Sequence, residues 1–385
     1  MQHSFSFFFD LREPGLVLLS MAICAVLTYL SRYFPRLSGH PGHLSAVQAM
    51  HTCPTPRVGG VAIFLAFGTS FWVAPASVTG AYGNFILATG ILFSVGLLED
   101  LGFQISPRRR LAAAAIASLA VIGLLGVWLP RVDIPGFDVF MGQWWLGVPM
   151  TLLVTVGLAN GFNLIDGVNG LASMTAGVAA VALSLIAYQG GYLVMVELAL
   201  MLAAVVFGFF LMNYPFGLIF LGDAGAYTLG FVLSWFGIAV LLHVPDASPW
   251  AILLTMFWPV ADTLLAIWRR ARRKSDAMAP DRLHVHQMVM RGVEICLLGR
   301  KRRRISNPLS TLILAPFVMA PPLVGVLLWN QTVLAFAAVV IFAVLFFVAY
   351  WIAPKVIARC RIKSDFAKYD SLTFEPSTSA GKMTP

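Results

Sequence analysis

Eleven apolar runs, each of about 16 to 22 residues and so long enough for a hydrocarbon core roughly 30 Å thick, leave this chain one class of fold. They fall near residues 15–34, 58–79, 83–98, 109–129, 145–160, 171–189, 192–212, 225–244, 249–268, 311–329 and 332–352. Backbone that crosses a bilayer must satisfy its own hydrogen bonds, and runs of this length do so as helices. The expected fold is therefore an all-α polytopic membrane bundle of about eleven transmembrane helices. Composition agrees, with 59% hydrophobic and only 11% charged residues among 385, against about 25% charge in a soluble domain. The first run follows Met1 to Glu13, which holds one arginine and no small-residue cleavage site, and reads as a retained helix.

The basic residues orient this bundle, because Lys and Arg collect in cytoplasmic loops near helix ends. Threading eleven spans from an outside N-terminus leaves Arg12 and Arg131 on the far side and 24 of the 26 Lys and Arg on the cytoplasmic side. The membrane domain covers residues 1–354, with cytoplasmic loops at 35–57, 99–108, 160–171, 213–224 and 269–310. Residues 355–385 read as a basic, solvated and disordered tail. The net charge of +9 then needs no nucleic-acid partner, since Arg269 to Lys274 and Arg300 to Arg304 sit where anionic headgroups attract them. Cys24, Cys53, Cys296 and Cys360 show no CxxC or paired spacing, which supports neither a disulfide framework nor a zinc site.

Five polar clusters fall at the cytoplasmic ends of these helices, where ionisable groups beside hydrocarbon are expensive and mark a substrate or ion site. The third run ends in Glu99-Asp100, followed by Arg108-Arg109-Arg110. The acids suit a proton or a metal, and the arginines suit phosphate through bidentate contacts; a helix-end pair balanced by positive-inside arginines is the competing view. The fifth run leads into Asn160-Gly-Phe-Asn163-Leu-Ile-Asp166-Gly-Val-Asn169-Gly170, whose glycines let the backbone leave the helix while Asn163, Asp166 and Asn169 recur at spacings of three. The seventh run leads into Phe220-Leu-Gly222-Asp223-Ala-Gly225, which places Asp223 where a helix N-terminus offers free N–H groups; the alternative is a simple N-cap. Asp262 lies within the ninth helix about two turns inside the first arginine, facing the bundle interior or a wet cavity; a buried partner of a nearby Arg or amide is the competing view. Asp281-Arg282-Leu-His284-Val-His286 lies in the long loop and reads as a cationic strip for phosphate oxygens. Glu197 and His243 take no role. Carboxylates with Asn suit Mg²⁺, with Mn²⁺ as the alternative ion, because a hard ion is commonly held by one or two protein oxygens plus substrate phosphates. The combined chemistry is transfer between a soluble phosphorylated donor and a lipid acceptor.

These residues, together with Pro54-Thr-Pro56-Arg57-Val-Gly59-Gly60 and Pro259-Val-Ala-Asp262-Thr263, resemble the polyprenyl-phosphate N-acetylhexosamine-1-phosphate transferases. The resemblance runs from His51 to about Gln287. It implies transfer of GlcNAc-1-phosphate, or a related HexNAc-1-phosphate, from a UDP-sugar to undecaprenyl phosphate in the bacterial inner membrane, with release of UMP. It implies Mg²⁺ at Asp223 and Asn163, Phe220 stacked on uracil, and Asn169 at the base. Arg109, Arg110, Arg282, His284 and His286 then meet pyrophosphate, and Arg57, Asn160 and Asp262 line the substrate site. Asp100, Glu99, Asp166 and Asp223 carry the chemistry, with Asp100 as the proton acceptor because Glu99 stands where an Asp is usual. His284-Val-His286, in place of a run of adjacent histidines, points away from peptidoglycan and toward O-antigen or other surface-polysaccharide initiation. UDP-FucNAc, UDP-QuiNAc and UDP-GalNAc are alternative donors, an ion-coupled transporter is the rival of another class, and a homodimer is compatible with the sequence.

Overall fold

The computed structural model describes residues 12–38, 55–273, 284–298 and 302–373. It is helical throughout, with no strand among the described residues. In chain order the helices are α1 (Arg12–Leu30), α2 (Gly59–Thr69), α3 (Thr79–Asp100), α4 (Pro107–Leu125), the single turn α5 (Asp138–Met141), α6 (Trp144–Ile165), α7 (Leu171–Gln189), α8 (Leu193–Asn213), α9 (Gly222–His243), α10 (Pro249–Thr255), α11 (Phe257–Arg273), α12 (Val285–Val293), α13 (Arg303–Leu327) and α14 (Thr332–Thr373). Ten of the eleven apolar runs fall on a single helix each, and the run 249–268 falls on two, α10 and α11. Among the described residues eight helices have the length and apolarity to cross a membrane, nine if the bent pair α10–α11 forms one span. Of the remaining two runs, α2 is only 11 residues long and α4 begins on three arginines.

Helix α9 organises the bundle. It is apolar on every side, which places a helix inside a bundle instead of at its edge, and 89% of its span is buried against 17% for α1 and for α14. Helices α2, α3, α6, α7 and α8 surround it. Small residues allow the closest approaches, as expected where lipid supplies no hydrophobic drive between helices: a Cβ on Gly96 of α3 would lie 2.6 Å from the Ala224 Cα of α9. Hydroxyl pairs add polar contacts between helices, among them Ser118 with Thr155 at 2.6 Å.

Three expectations change. The run 249–268 is two helices, α10 and α11, meeting at 85°. Pro259 lacks an N–H, and its ring excludes the carbonyl four residues back; that residue is Thr255, where α10 ends. Asp262 and Arg269 both lie on α11, past the bend, so the two-turn spacing expected between them is kept. The segment 269–310 is not a plain loop, since it contains the end of α11, all of α12 and the start of α13. The chain beyond Lys355 is not a disordered tail at its outset, because α14 runs on to Thr373 through a stretch rich in Ala, Arg and Lys, all good helix formers.

Candidate active site

The carboxylates that the sequence scatters over three segments meet around the first turn of α9. Arg57 precedes α2 and is anchored by its N–H to the Leu37 carbonyl at 3.0 Å. Three further backbone bonds fasten this stretch to the α8–α9 loop: Phe220 N–H to Pro56 O at 2.8 Å, Gly59 N–H to Phe220 O at 2.9 Å, and Gly60 N–H to Leu221 O at 2.8 Å. Gly222 follows with φ +74°, and a Cβ there would collide with the Arg57 carbonyl and the Asp100 carboxylate. Only glycine suits that position.

Asp100, at the end of α3 and 2% exposed, accepts the N–H of Asp223 at 2.8 Å on one oxygen and that of Ala224 at 2.9 Å on the other. Asp166, immediately past α6, accepts the Gly222 N–H. Two acids from two helices thus satisfy N–H groups that a helix start leaves without partners. The Asp223 side chain points instead to cations: Arg110 donates to its Oδ2, and Arg57 lies 3.8 Å from its Oδ1. Arg110 is also 4.0 Å from Glu99, whose other oxygen accepts the Ile105 N–H and so closes the α3–α4 turn. Burial raises Asp166 to about 7; Arg57 and the Gly222 N–H oppose that rise, and the Asp223 charge adds to it.

Asn163 lies in the last turn of α6, and its Nδ2 donates to the Tyr227 hydroxyl at 3.0 Å. Tyr227 stands one turn after Asp223 on α9, so Asn163 and Asp223 flank the same face. Sequence reading missed Tyr227; its place four residues after Asp223 is the signal that could have found it. The oxygen-rich set of Asp223, Asn163 and nearby acids suits Mg²⁺, which takes one or two protein carboxylates and completes its shell with phosphate and water. Among the described residues no three His, Cys, Asp or Glu side chains form a ready-made metal cage.

A second polar group sits beside the first. His284 Nδ1 lies 2.6 Å from Asp262 Oδ2, both buried, and the Val285 N–H reaches Asp262 Oδ1 at 3.3 Å. Asp262 thus ties α11 to the start of α12. His286 stacks on His284 with ring centroids 5.8 Å apart and presses against Gly167, where a Cβ would overlap the imidazole. Its nitrogens have no hydrogen-bond partner among the described residues. Burial holds His286 down at about 4, with Asp262 opposing that shift and His284 adding to it.

Asn160, Gly161 and Arg109 take no part in these contacts. Asn160 does not leave the helix, because α6 continues to Ile165, and its Nδ2 bonds back to Val156 O at 2.8 Å. Gly161 likewise stays helical, packed where a Cβ would come 2.9 Å from Thr263 Oγ1. Arg109 is exposed on the first turn of α4, and Phe220 is half-buried. Arg282 lies outside the described residues, as does Cys53; Cys24, Cys296 and Cys360 are free thiols. Glu197 pairs with Arg12 at 3.3 Å and His243 stacks on Tyr192 at 4.3 Å, both remote from the cluster.

A bundle of membrane-spanning helices that gathers acids and guanidiniums at one end has the architecture of a polytopic membrane enzyme for charged substrates. Residues 83–241 match the profile of glycosyl transferase family 4, a stretch that contains Glu99, Asp100, Arg110, Asn163, Asp166, Asn169 and Asp223. It is 28% identical over 247 residues to a probable undecaprenyl-phosphate N-acetylglucosaminyl 1-phosphate transferase of Bacillus subtilis, covering 63% of this chain and 67% of that one. It is 26% identical to an undecaprenyl-phosphate alpha-N-acetylglucosaminyl 1-phosphate transferase of Yersinia pestis, over 61% of this chain and 66% of the relative. A decaprenyl-phosphate N-acetylglucosaminephosphotransferase of Mycobacterium tuberculosis is 28% identical over 335 residues, 77% of this chain and 78% of its own. The match thus spans about two thirds of the first two relatives' length.

Proposed function

We propose that this chain transfers N-acetylglucosamine 1-phosphate from a UDP carrier to a polyprenyl phosphate and releases UMP. The observation that carries this reading is the Arg110–Asp223 pair at the N-terminus of α9, with Arg57 beside it and with Asp100 and Asp166 holding the backbone beneath it. The names of the relatives supply the reaction class.

The residues divide the work. Asp100 and Asp166 act on backbone N–H groups and fix the first turn of α9. Asp223, held only by side chains, can exchange its cations when the donor arrives. Arg110 and Arg57 then offer their guanidiniums to diphosphate oxygens, which accept paired N–H bonds well. Mg²⁺ held by Asp223 and Asn163 would offset charge on the diphosphate. An acceptor phosphate oxygen attacks the phosphorus that bears the sugar, the bond to the uridine-bearing phosphate breaks, and UMP departs with the electron pair. A lipid phosphate dianion is already nucleophilic, so direct attack needs no covalent enzyme intermediate; positioning and charge stabilisation suffice. Since both Asp100 oxygens accept backbone N–H groups, we now assign it to positioning Asp223 and not to taking a proton.

The finer reading places the site on the cytoplasmic face of the bacterial inner membrane, with undecaprenyl phosphate as acceptor, and makes the reaction the first step of O-antigen or another surface polysaccharide. The clustering of Lys and Arg at one set of helix ends supports the orientation, the relatives' names support the acceptor, and the His284-Val-His286 pattern supports the pathway. The test is incubation of membranes holding the protein with Mg²⁺, undecaprenyl phosphate and one labelled UDP-HexNAc at a time. Acceptor-dependent UMP release from UDP-GlcNAc, abolished by a chelator, is expected. Release from UDP-GalNAc, UDP-FucNAc or UDP-QuiNAc alone would move the donor, and no UMP from any of them would overturn the proposal.

A further inference from the structure

Beyond its membrane span, α14 sets a thiol against a thiol of the segment that follows α12. Lys355 stacks on Trp351 with its ammonium 4.1 Å from the ring centroid, a cation and an aromatic of the kind that mark a membrane edge. Cys360 lies further along the same helix, roughly 40 Å from Thr332 at 1.5 Å per residue. That is past a hydrocarbon core about 30 Å thick. On the facing side, α12 continues into a π-helical turn over Glu294–Leu298, a kind of turn frequent at functional sites. Glu294, 3.2 Å from Arg303 Nε, pins that turn to the start of α13.

Two successive contacts join this segment to α14. A Cβ on Gly292 would lie 3.4 Å from the Ile357 side chain, so α12 and α14 touch there. About one turn further along each helix, the thiols of Cys296 and Cys360 come within hydrogen-bond reach of each other. The two helices therefore run the same way along this seam, and both thiols lie on it. Cys296 is exposed and Cys360 partly buried. They stand 64 positions apart in the chain, so sequence spacing does not pair them. Partial desolvation, with the hydrogen bond and charge of Cys360, pushes Cys296 up to about 11. Few thiolates then form at neutral pH, which slows oxidation of the pair. The same shift makes the Cys296 sulfur a poor leaving group, so a disulfide once formed reverses slowly.

We propose that Cys296 and Cys360 form an oxidisable pair, a disulfide site that fastens the extension of α14 to the end of α12. The oxidant is a small-molecule disulfide of the glutathione disulfide class. The exposed Cys296 thiolate attacks one of its sulfurs and expels a thiolate, leaving a mixed disulfide on the protein. Cys360 then attacks the Cys296 sulfur and expels the second small thiolate. Two protein thiols give up two electrons and two protons, and one small disulfide leaves as two thiols. In the reducing compartment that the proposed orientation gives this face, the pair rests as thiols and closes only under oxidising conditions. The bond closes a loop that contains all of α13 and holds the far end of the helix that begins at the His284–Asp262 contact. The pairing itself does not depend on the transferase reading.

The test exposes the full-length protein in membranes to glutathione disulfide, quenches with acid, blocks free thiols with N-ethylmaleimide after denaturation, and reads the digest by mass spectrometry. A linked Cys296–Cys360 peptide is expected, with both thiols lost together and both restored by dithiothreitol. In Cys296→Ser and Cys360→Ser the remaining cysteine should stop at the glutathione adduct. On Cys296 that adduct should be at least about tenfold scarcer in the wild type than in Cys360→Ser, because the neighbouring thiol displaces it. Oxidation should also raise the thermal midpoint of the extracted wild type by several degrees, as closing a long loop does, and leave both Ser variants unmoved. Midpoints of the reduced variants control for folding; should the variants not fold, the wild-type digest decides alone. Wild-type protein whose two cysteines stay free for N-ethylmaleimide, carry separate glutathione adducts, or link to Cys24 or Cys53 instead overturns the proposal.

Discussion

Asp100 grips Asp223 through its backbone, one oxygen on the Asp223 N–H at 2.8 Å and the other on the Ala224 N–H at 2.9 Å. A carboxylate on α3 thereby sets the direction in which a carboxylate on α9 points. Asp100→Asn keeps the shape but turns one acceptor into a donor facing an N–H. The expected loss is about 1–3 kcal/mol of stability with a fall in kcat of about a hundredfold, read from a thermal melt and a UMP-release assay on the same preparation. A variant with full kcat would separate the two carboxylates functionally.

Arg110 is the closest cation to Asp223. Arg110→Lys keeps the charge and loses the planar fork, and Arg110→Ala loses both. Donor KM should rise in the order wild type, Lys, Ala, by up to about a hundredfold for a charge-assisted contact of 1.5–3 kcal/mol, with acceptor KM little changed. Equal KM values for the Lys and wild-type proteins would show that a point charge is enough.

The Asp262–His284 pair joins α11 to α12 inside the protein, with both side chains buried. Asp262→Ala leaves the His284 nitrogen without its partner, and a buried polar group left unpaired costs about 1–3 kcal/mol. The thermal midpoint should drop sharply, while His284→Gln, which can still donate to Asp262, should lower it less. No change in midpoint for Asp262→Ala would refute the structural role.

His286 gives the pH dependence. Its folded pKa is about 4 against about 6.5 when unfolded. Between those values the unfolded chain binds a proton that the folded chain does not, so stability from this group is complete above about pH 6.5 and is lost as pH falls toward 4. The loss is on the order of 3 kcal/mol at most, from 1.36 kcal/mol per unit. Melting midpoints of His286→Gln should fall less steeply over that range than those of the wild type; parallel curves would exclude His286 as the source.

Gly222 tests the packing itself. Its φ of +74° and its contact with the Arg57 carbonyl and the Asp100 carboxylate leave no room for a methyl group. Gly222→Ala should abolish UMP release while leaving the remote Arg12–Glu197 end of the bundle intact to proteolysis. Retained turnover would mean that the α8–α9 loop can move without penalty.

Much of the architecture is legible in the amino-acid sequence. Apolar run length fixed membrane helices, because a bilayer core demands about 20 residues whatever their neighbours, and the cost of acids beside hydrocarbon singled out Glu99, Asp100, Asp166 and Asp223. Periodicity could not show that Asn160 would bond back to its own helix or that Pro259 would bend a span by 85°. Nor could it show that α14 would run past Lys355, since isolated propensity is a weak guide there.

What the sequence determined by itself was therefore the class of fold and the inventory of chemical groups, both set by local composition and by transfer into lipid. Which group meets which was decided by the tertiary structure alone. Asp100 with the Asp223 backbone, Arg110 with the Asp223 carboxylate and Asn307 with Asn169 are separated by 123, 113 and 138 residues. Hydrogen bonds act over about 3 Å, and only the packing of α3, α4, α6 and α13 about the loops and start of α9 brings such distant residues within that reach.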